Sequence, residues 1–324
     1  MNRREFLQST TAMGLAAASG MAWAVDSVST SNNKEPKMQF VTFNDGNKIP
    51  ILGYGVYQIS PEQTQQCVED AISVGYRSID TAQAYRNEQG VGNAVQTAIK
   101  GGVKREDLFI TTKIWVSNAT ESGVLRSFDA SMKKLQLDYL DLLLLHQPFN
   151  DIYGAWRAMS KLKKEGRIKS IGVSNFYPDR IMDFALNNEI KPAINQIECN
   201  PFYQRQEDEK VLKELGIVLQ SWASFGEGRN NMFNNPILQK IGEKYHKTVA
   251  QVILRWLIQR NIVVIPKTTK IARMKENISV FDFALSNEDM QTIAKMDTKT
   301  SLFLDFHHLD AQTVKRLNSW KLPD

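Results

Sequence analysis

Eight short apolar segments separated by helix-like runs predict a (β/α)8 TIM barrel for most of this 324-residue chain. Two further observations favour that class. No Gly-x-Gly-x-x-Gly pattern follows the first segment, which speaks against a doubly wound dinucleotide-binding sheet. Ionisable residues also stop three successive segments at even spacing, as active-site residues do at the C-terminal ends of barrel strands.

The elements follow in order. "QFVTFNDGNKIPIL" (39–52) has apolar segments on both sides of Asn44-Asp45-Gly46, a β-hairpin signal. "ILGYGVY" (51–57) begins the barrel series. "YRSID" (76–80) follows a helix-like run from Pro61, and "DLFITTK" (107–113) follows another that begins near Glu88. "YLDLLLLH" (139–146) is almost continuously apolar, as a strand buried on both faces should be. "RIKSIGVSN" (167–175), "AINQIE" (193–198), "IVLQSW" (217–222) and "IVVIPK" (262–267) complete eight strands. Helices are expected over 119–135 and, as one long run, over 237–259.

Composition bounds the partners. The net charge of +5 is spread along the chain without a run of five like charges, so nucleic-acid binding is not expected. Cys67 and Cys199 are far apart and form no metal or disulfide pattern. No apolar run reaches the roughly 20 residues that span a bilayer. The first residues differ from the rest. Arg3-Arg4 precede Phe6-Leu7, an Ala/Gly-rich apolar stretch follows, and Ala22-Trp23-Ala24 gives a small-residue cleavage pattern. "NRREFLQ" resembles the bacterial twin-arginine signal. Residues 1–24 are thus expected to be a signal peptide, 25–37 a flexible spacer and 38–324 the barrel. Without the leader, two arginines and one glutamate are gone and the charge is +4. The mature protein is expected in the periplasm with no membrane segment, or in the cytoplasm if the signal is not used.

The chemistry collects at the strand ends. Asp80, Lys113 and His146 end the second, third and fourth strands, so they should lie at one level of the barrel mouth. Singly each has a bland reading: Asp80 as a helix N-cap, Lys113 snorkelling to solvent, His146 as a satisfied core histidine. Together they form a set in which opposite charges make burial tolerable. Tyr85, five residues past Asp80, falls in a loop at the same rim. Beside an ammonium its phenol pKa should fall, which would let it protonate a developing alkoxide near neutral pH.

These residues sit in segments that resemble the aldo-keto reductase family: "GYRSIDTAQAYRNE" (75–88), "LLLLHQP" (142–148), "GVSNF" (172–176) and "NQIECNP" (195–201). The resemblance covers about residues 39–310. It implies that Asp80, Tyr85, Lys113 and His146 form the catalytic tetrad, and that a nicotinamide cofactor lies over the barrel mouth. Ser174, Asn175 and Gln196 match residues that bind the carboxamide, although Ser174-Asn175 could equally cap a helix. Trp222 matches the ring that stacks on the nicotinamide, although the sequence alone reads it as core. "PKTTKIARMKEN" (266–277) matches the adenosine site, with Lys267, Thr268 and Arg273 on a 2′-phosphate and Glu276 and Asn277 on adenine. Its basic charge favours NADP(H) over NAD(H); a basic, solvated helix start is the alternative.

The same resemblance places Tyr57, Trp115, His146 and Gln147 around a substrate. Tyr57 and Gln147 stand where many relatives carry tryptophan, and the segments 147–153 and 226–235 are short. They imply an open, less aromatic rim suited to small or polar carbonyl compounds, as in a bacterial branch containing 2,5-diketo-D-gluconate reductases and methylglyoxal-reducing enzymes. The tail 301–317 should form the last pocket wall; its His307 and His308 lack a third ligand, and no metal is expected. The activity implied is NADPH-dependent reduction of an aldehyde or ketone, hydride from nicotinamide and proton from Tyr85, by a monomer. The alternative is a cofactor-binding, redox-sensing subunit on the same fold.

Overall fold

A computed structural model describes residues 38–303 and 310–322. The expected leader (1–24), the spacer (25–37) and His307-His308 lie outside the described residues. The described chain opens with an antiparallel hairpin, β1 (Phe40–Thr42) and β2 (Lys48–Pro50), in which Val41 faces Ile49. The turn between them closes with Gly46 at φ +84°, a conformation that glycine adopts without cost.

Eight parallel strands follow, each hydrogen-bonded to the next in chain order. They are β3 (Tyr54–Gly55), β4 (Ser78–Asp80), β5 (Phe109–Ile114), β6 (Leu140–Leu145), β7 (Ile168–Ser174), β8 (Ile194–Glu198), β9 (Val218–Trp222) and β10 (Val263–Val264). The sheet returns on itself. Leu52 bridges Val264 in parallel, and Gly53 N–H donates to the Val264 carbonyl at 2.8 Å. The barrel is therefore closed and has no free sheet edge. Every residue of β5 and β6 is buried, since one face meets the barrel interior and the other the helices.

The strands are linked by α1 (Pro61–Ser73), α2 (Glu88–Lys100), α3 (Glu121–Leu135), α4 (Ile152–Lys164), α5 (Pro178–Leu186) and α6 (Gln206–Leu215). Then come α7 (Pro236–Tyr245), α8 (Val249–Gln259), α9 (Ile271–Ile278), α10 (Asn287–Ala294) and α11 (Ala311–Ser319). The single helix expected over 237–259 is in fact two. His246 takes the left-handed conformation and ends α7. Thr248 and Gln251 then form a capping box, each side chain bonded to the other's backbone N–H, and this starts α8. Both Cys67 and Cys199 are buried free thiols.

The hairpin covers one end of the barrel. Phe43 meets Phe109, the first residue of β5, edge to face at 6.3 Å. Asp45 accepts from Lys163 at 2.8 Å and from Ser170 at 2.9 Å, and Asn44 donates to the Pro192 carbonyl. These partners stand near strand starts. The N-terminal end is thus covered, and the other rim remains for chemistry.

Close helix packing gives a test of opposing signs. A Cβ on Gly92 of α2 would collide with backbone of α3, including the Leu135 carbonyl oxygen at 2.7 Å. Helix propensity favours Gly92→Ala by about 1 kcal/mol, whereas a clash with backbone costs about 1–3 kcal/mol. The clash should win and lower the urea midpoint; a raised midpoint would show that α2 can move away from α3.

Candidate active site

Asp80 is the last residue of β4, Lys113 is the penultimate residue of β5, and His146 follows β6 directly. Lys113 is fully buried and Asp80 is 2% exposed. Lys113 Nζ donates to Asp80 Oδ1 at 2.5 Å and to the Thr81 carbonyl at 2.9 Å. Snorkelling is therefore excluded. Asp80 caps no helix either: the next turn, Gln83–Tyr85, has Ala82 at its N-cap and no side-chain cap.

That turn carries Tyr85, and its neighbours hold it in place. Gln83 donates to Ser131 and to the Ser127 carbonyl of α3 and accepts from Trp115 N–H and Asn118. Asn87 accepts from Thr81 and donates to the carbonyls of Val56 and Ile59. Lys113 Nζ lies 3.5 Å from the Tyr85 hydroxyl, and the His146 ring meets the Tyr85 ring edge-on at 5.7 Å. Acid, cation, carboxylate and imidazole are thus one contiguous group.

Burial dominates its electrostatics. Burial, then the Asp80 charge and the Tyr57 phenol, push the Tyr85 phenol well above its ordinary value. This corrects the expectation that Lys113 lowers it. The ammonium is neutralised by Asp80, and a phenolate at this half-buried position is disfavoured. Burial also pulls the Lys113 ammonium down, against Asp80, which supports it. Burial and then the Lys113 charge hold His146 well below the usual histidine range. Its Nδ1 is buried without a partner among the described residues. Tyr85 is therefore a protonated donor and His146 a neutral imidazole.

Beside this group the ends of β7, β8 and β9 carry amides and a ring. Ser174 pairs in register with Gln196, and Glu198 with Trp222. Ser174 Oγ donates to the Gln196 carbonyl at 2.8 Å. Asn175, at φ +64°, donates to the His146 carbonyl at 3.0 Å and accepts from the Trp222 indole at 2.9 Å. Neither residue caps α5, whose N-cap is Tyr177. Trp222 is half-buried at the mouth, not core, and Phe303 meets it edge-on at 5.1 Å. Gln196 Nε2 donates to Asp80 Oδ2 and to Gln220 Oε1, both at 2.8 Å.

The segment after β10 leads into α9. Lys267, Lys270 and Arg273 are exposed and make no ion pair among the described residues, and α9 has no side-chain cap. Thr268 is buried; its hydroxyl accepts from Lys270 N–H, and its carbonyl accepts from Tyr54 at 2.5 Å. Tyr76 likewise donates to the Met274 carbonyl, so two buried tyrosines tether this segment to the barrel. Glu276 accepts from Thr248, and Asn277 is buried. Unpaired cations at an uncapped helix N-terminus suit a phosphate. Lys270 belongs to this cluster and was legible as the last residue of "PKTTK".

The substrate side is more aromatic than the substitutions at 57 and 147 implied. Tyr57 is exposed, with its ring centroid 4.9 Å from that of Tyr85. Trp115 is buried, edge-on to His146 at 5.2 Å, and its indole donates to the Trp320 carbonyl. Trp320 itself meets Trp115 at 4.6 Å and is 40% exposed. Gln147 is buried instead of lining an open gap. The C-terminal segment thus supplies an aromatic wall. Trp320 has no motif around it, so no sequence signal would have found it.

Known proteins resemble this chain over most of its length. The model of the aldo/keto reductase family matches residues 51–298. Glyoxal reductase of Bacillus subtilis (strain 168) is 43% identical over 255 residues, covering 78% of this chain and 91% of that protein. Methylglyoxal reductase DkgA of Escherichia coli (strain K12) is 41% identical over 260 residues, covering 79% and 93%. The crystal structure of a Bombyx mori aldo-keto reductase in complex with NADP superposes with a TM-score of 0.80 at 34% identity, covering 84% and 97%.

The electrostatics predict that His146 stays neutral in the ligand-free protein across the range where histidines usually titrate, about pH 6 to 8. Imidazole NMR shifts assigned through His146→Gln would check this; a midpoint inside that range would contradict the geometry.

Proposed function

This chain belongs to the aldo/keto reductase family, and we propose that it reduces a small aldehyde or ketone with Tyr85 as the proton donor. It is an NADP-dependent oxidoreductase with a small carbonyl substrate. The observation that carries the proton assignment is the contact of a buried, Asp80-paired Lys113 with the Tyr85 hydroxyl.

The residues present fit NADP(H). Lys267, Lys270 and Arg273 would hold a phosphate at the start of α9. Ser174, Asn175 and the Oε1 of Gln196 offer polar groups to a carboxamide, and Trp222 offers a ring face. When bound, the nicotinamide supplies the hydride. The chain's own part is the proton. Neutral His146 donates a hydrogen bond to the carbonyl oxygen and orients it beside Tyr85. Tyr85 releases its proton to that oxygen as negative charge develops there. Lys113 stabilises the phenolate left behind, and Asp80 keeps Lys113 charged.

Small dicarbonyls such as glyoxal or methylglyoxal are the favoured substrates. Relatives of this chain carry those activities in their names at 43% and 41% identity. The resemblance to 2,5-diketo-D-gluconate reductases supports the same bacterial branch. Monomeric state and export through the twin-arginine-like leader complete the proposal; the leader rests on Arg3-Arg4, the Ala/Gly-rich apolar stretch and the Ala-x-Ala pattern alone.

Tyr85→Phe should lower carbonyl reduction by about 100-fold or more while leaving NADPH binding near wild type. Near-normal turnover would remove Tyr85 from its role. If wild type binds NADPH tightly yet turns over none of a panel of glyoxals, sugars and aromatic aldehydes, the redox-sensing alternative gains. For export, changing Arg3 and Arg4 to lysine should shift the protein from the periplasmic to the cytoplasmic fraction. Wild-type protein that stays in the cytoplasm with residues 1–24 intact would end that reading.

A further inference from the structure

Beneath the rim a polar chain from Asp80 through Gln196 ends in Gln220, which the mechanism above does not use. Gln220, in the middle of β9, is 1% exposed and pairs in register with Gln196 of β8. Its Oε1 accepts from Gln196 Nε2 at 2.8 Å. Its own Nε2 is buried without a partner among the described residues. An apolar side chain of similar length would leave no unsatisfied donor in the barrel interior, so packing does not account for an amide here.

The direction of the chain follows from Asp80. A carboxylate can only accept, so the end of Gln196 that meets Asp80 Oδ2 must be its NH2 group. The second hydrogen of that NH2 goes to Gln220 Oε1. Gln220 must therefore present its oxygen, and this leaves its nitrogen unpaired. With both hydrogens committed, Gln196 Oε1 takes no donor among the described residues and remains free to accept.

We propose that Gln220 is a positioning residue for the reaction. By accepting from Gln196 it fixes that amide in one orientation. The donor end then supports Asp80, which keeps Lys113 charged beside Tyr85. The acceptor end would then be left for the carboxamide NH2 of a bound cofactor. One buried amide thus couples the proton donor's support to the nicotinamide site. The inference rests on the carbonyl-reductase reading above.

The test compares Gln220→Met, which removes the acceptor, with Gln220→Glu, which keeps one in either protonation state. Loss of the hydrogen-bond partner that orients a metal ligand typically costs about 10–100-fold, and the lower end is expected for an amide held the same way. Gln220→Met should therefore lower kcat about tenfold and raise the NADPH dissociation constant, read by tryptophan quenching, by a similar factor. Its melting temperature should stay near wild type, because the unsatisfied Gln220 donor is gone while one Gln196 hydrogen loses its acceptor. Gln220→Glu should recover most of both losses. A Gln220→Met protein that melts far lower, or that keeps wild-type kcat and NADPH affinity, overturns the proposal. The two readings fail separately. No carbonyl turnover by wild type would sink the reductase reading, while the NADPH constant of Gln220→Met still decides the role of Gln220.

Discussion

The site depends on one buried ion pair. Lys113 and Asp80 meet at 2.5 Å inside the barrel, where water cannot solvate either charge. Taking one such ion out of water costs several kcal/mol even after relaxation. The arrangement is tolerated because every oxygen and most protons have partners. Asp80 accepts from Lys113 on one oxygen and Gln196 on the other, and Lys113 also reaches the Thr81 carbonyl. Removing either charge would strand the other, so pair and surrounding amides stand together.

Burial and the pair together set the state of the neighbours. Because Asp80 neutralises Lys113, the phenol of Tyr85 is not drawn toward ionisation; it stays protonated and available. Burial first, and the nearby Lys113 charge second, keep His146 neutral. A protonated phenol and a neutral imidazole therefore coexist at neutral pH, the states that the proposed reduction requires. In a more hydrated mouth both pressures would weaken, since charge is disfavoured here mainly by burial.

Barrel architecture supplies that dryness and places the parts. Parallel strands in register bring Asp80, Lys113 and His146 to one rim, and the next strand ends bring Ser174, Gln196 and Trp222 beside them. The β1–β2 hairpin covers the opposite end. Buried Tyr54 and Tyr76, edge to face at 5.6 Å, hold the basic segment and α9 to the same scaffold. Phe303 and Trp320, from the far end of the chain, close the aromatic side of the mouth.

The sequence by itself determined the repeating units and the strand ends. Each of the eight expected strands overlaps an observed one, because a strand buried on both faces is mostly apolar until it reaches the rim. Asp80, Lys113 and His146 were legible for the same reason: an ionisable residue that stops an apolar run has a definite height in a barrel. The break at His246 was missed, since a left-handed residue before a Thr-x-x-Gln box interrupts no apolar period. Tertiary structure alone decided the rest. It put Trp320 against Trp115, turned Gln196 toward Asp80, and raised the Tyr85 phenol where local charge argued the reverse. These outcomes depend on burial and on contacts between residues far apart in the chain, and neither quantity is carried by local pattern.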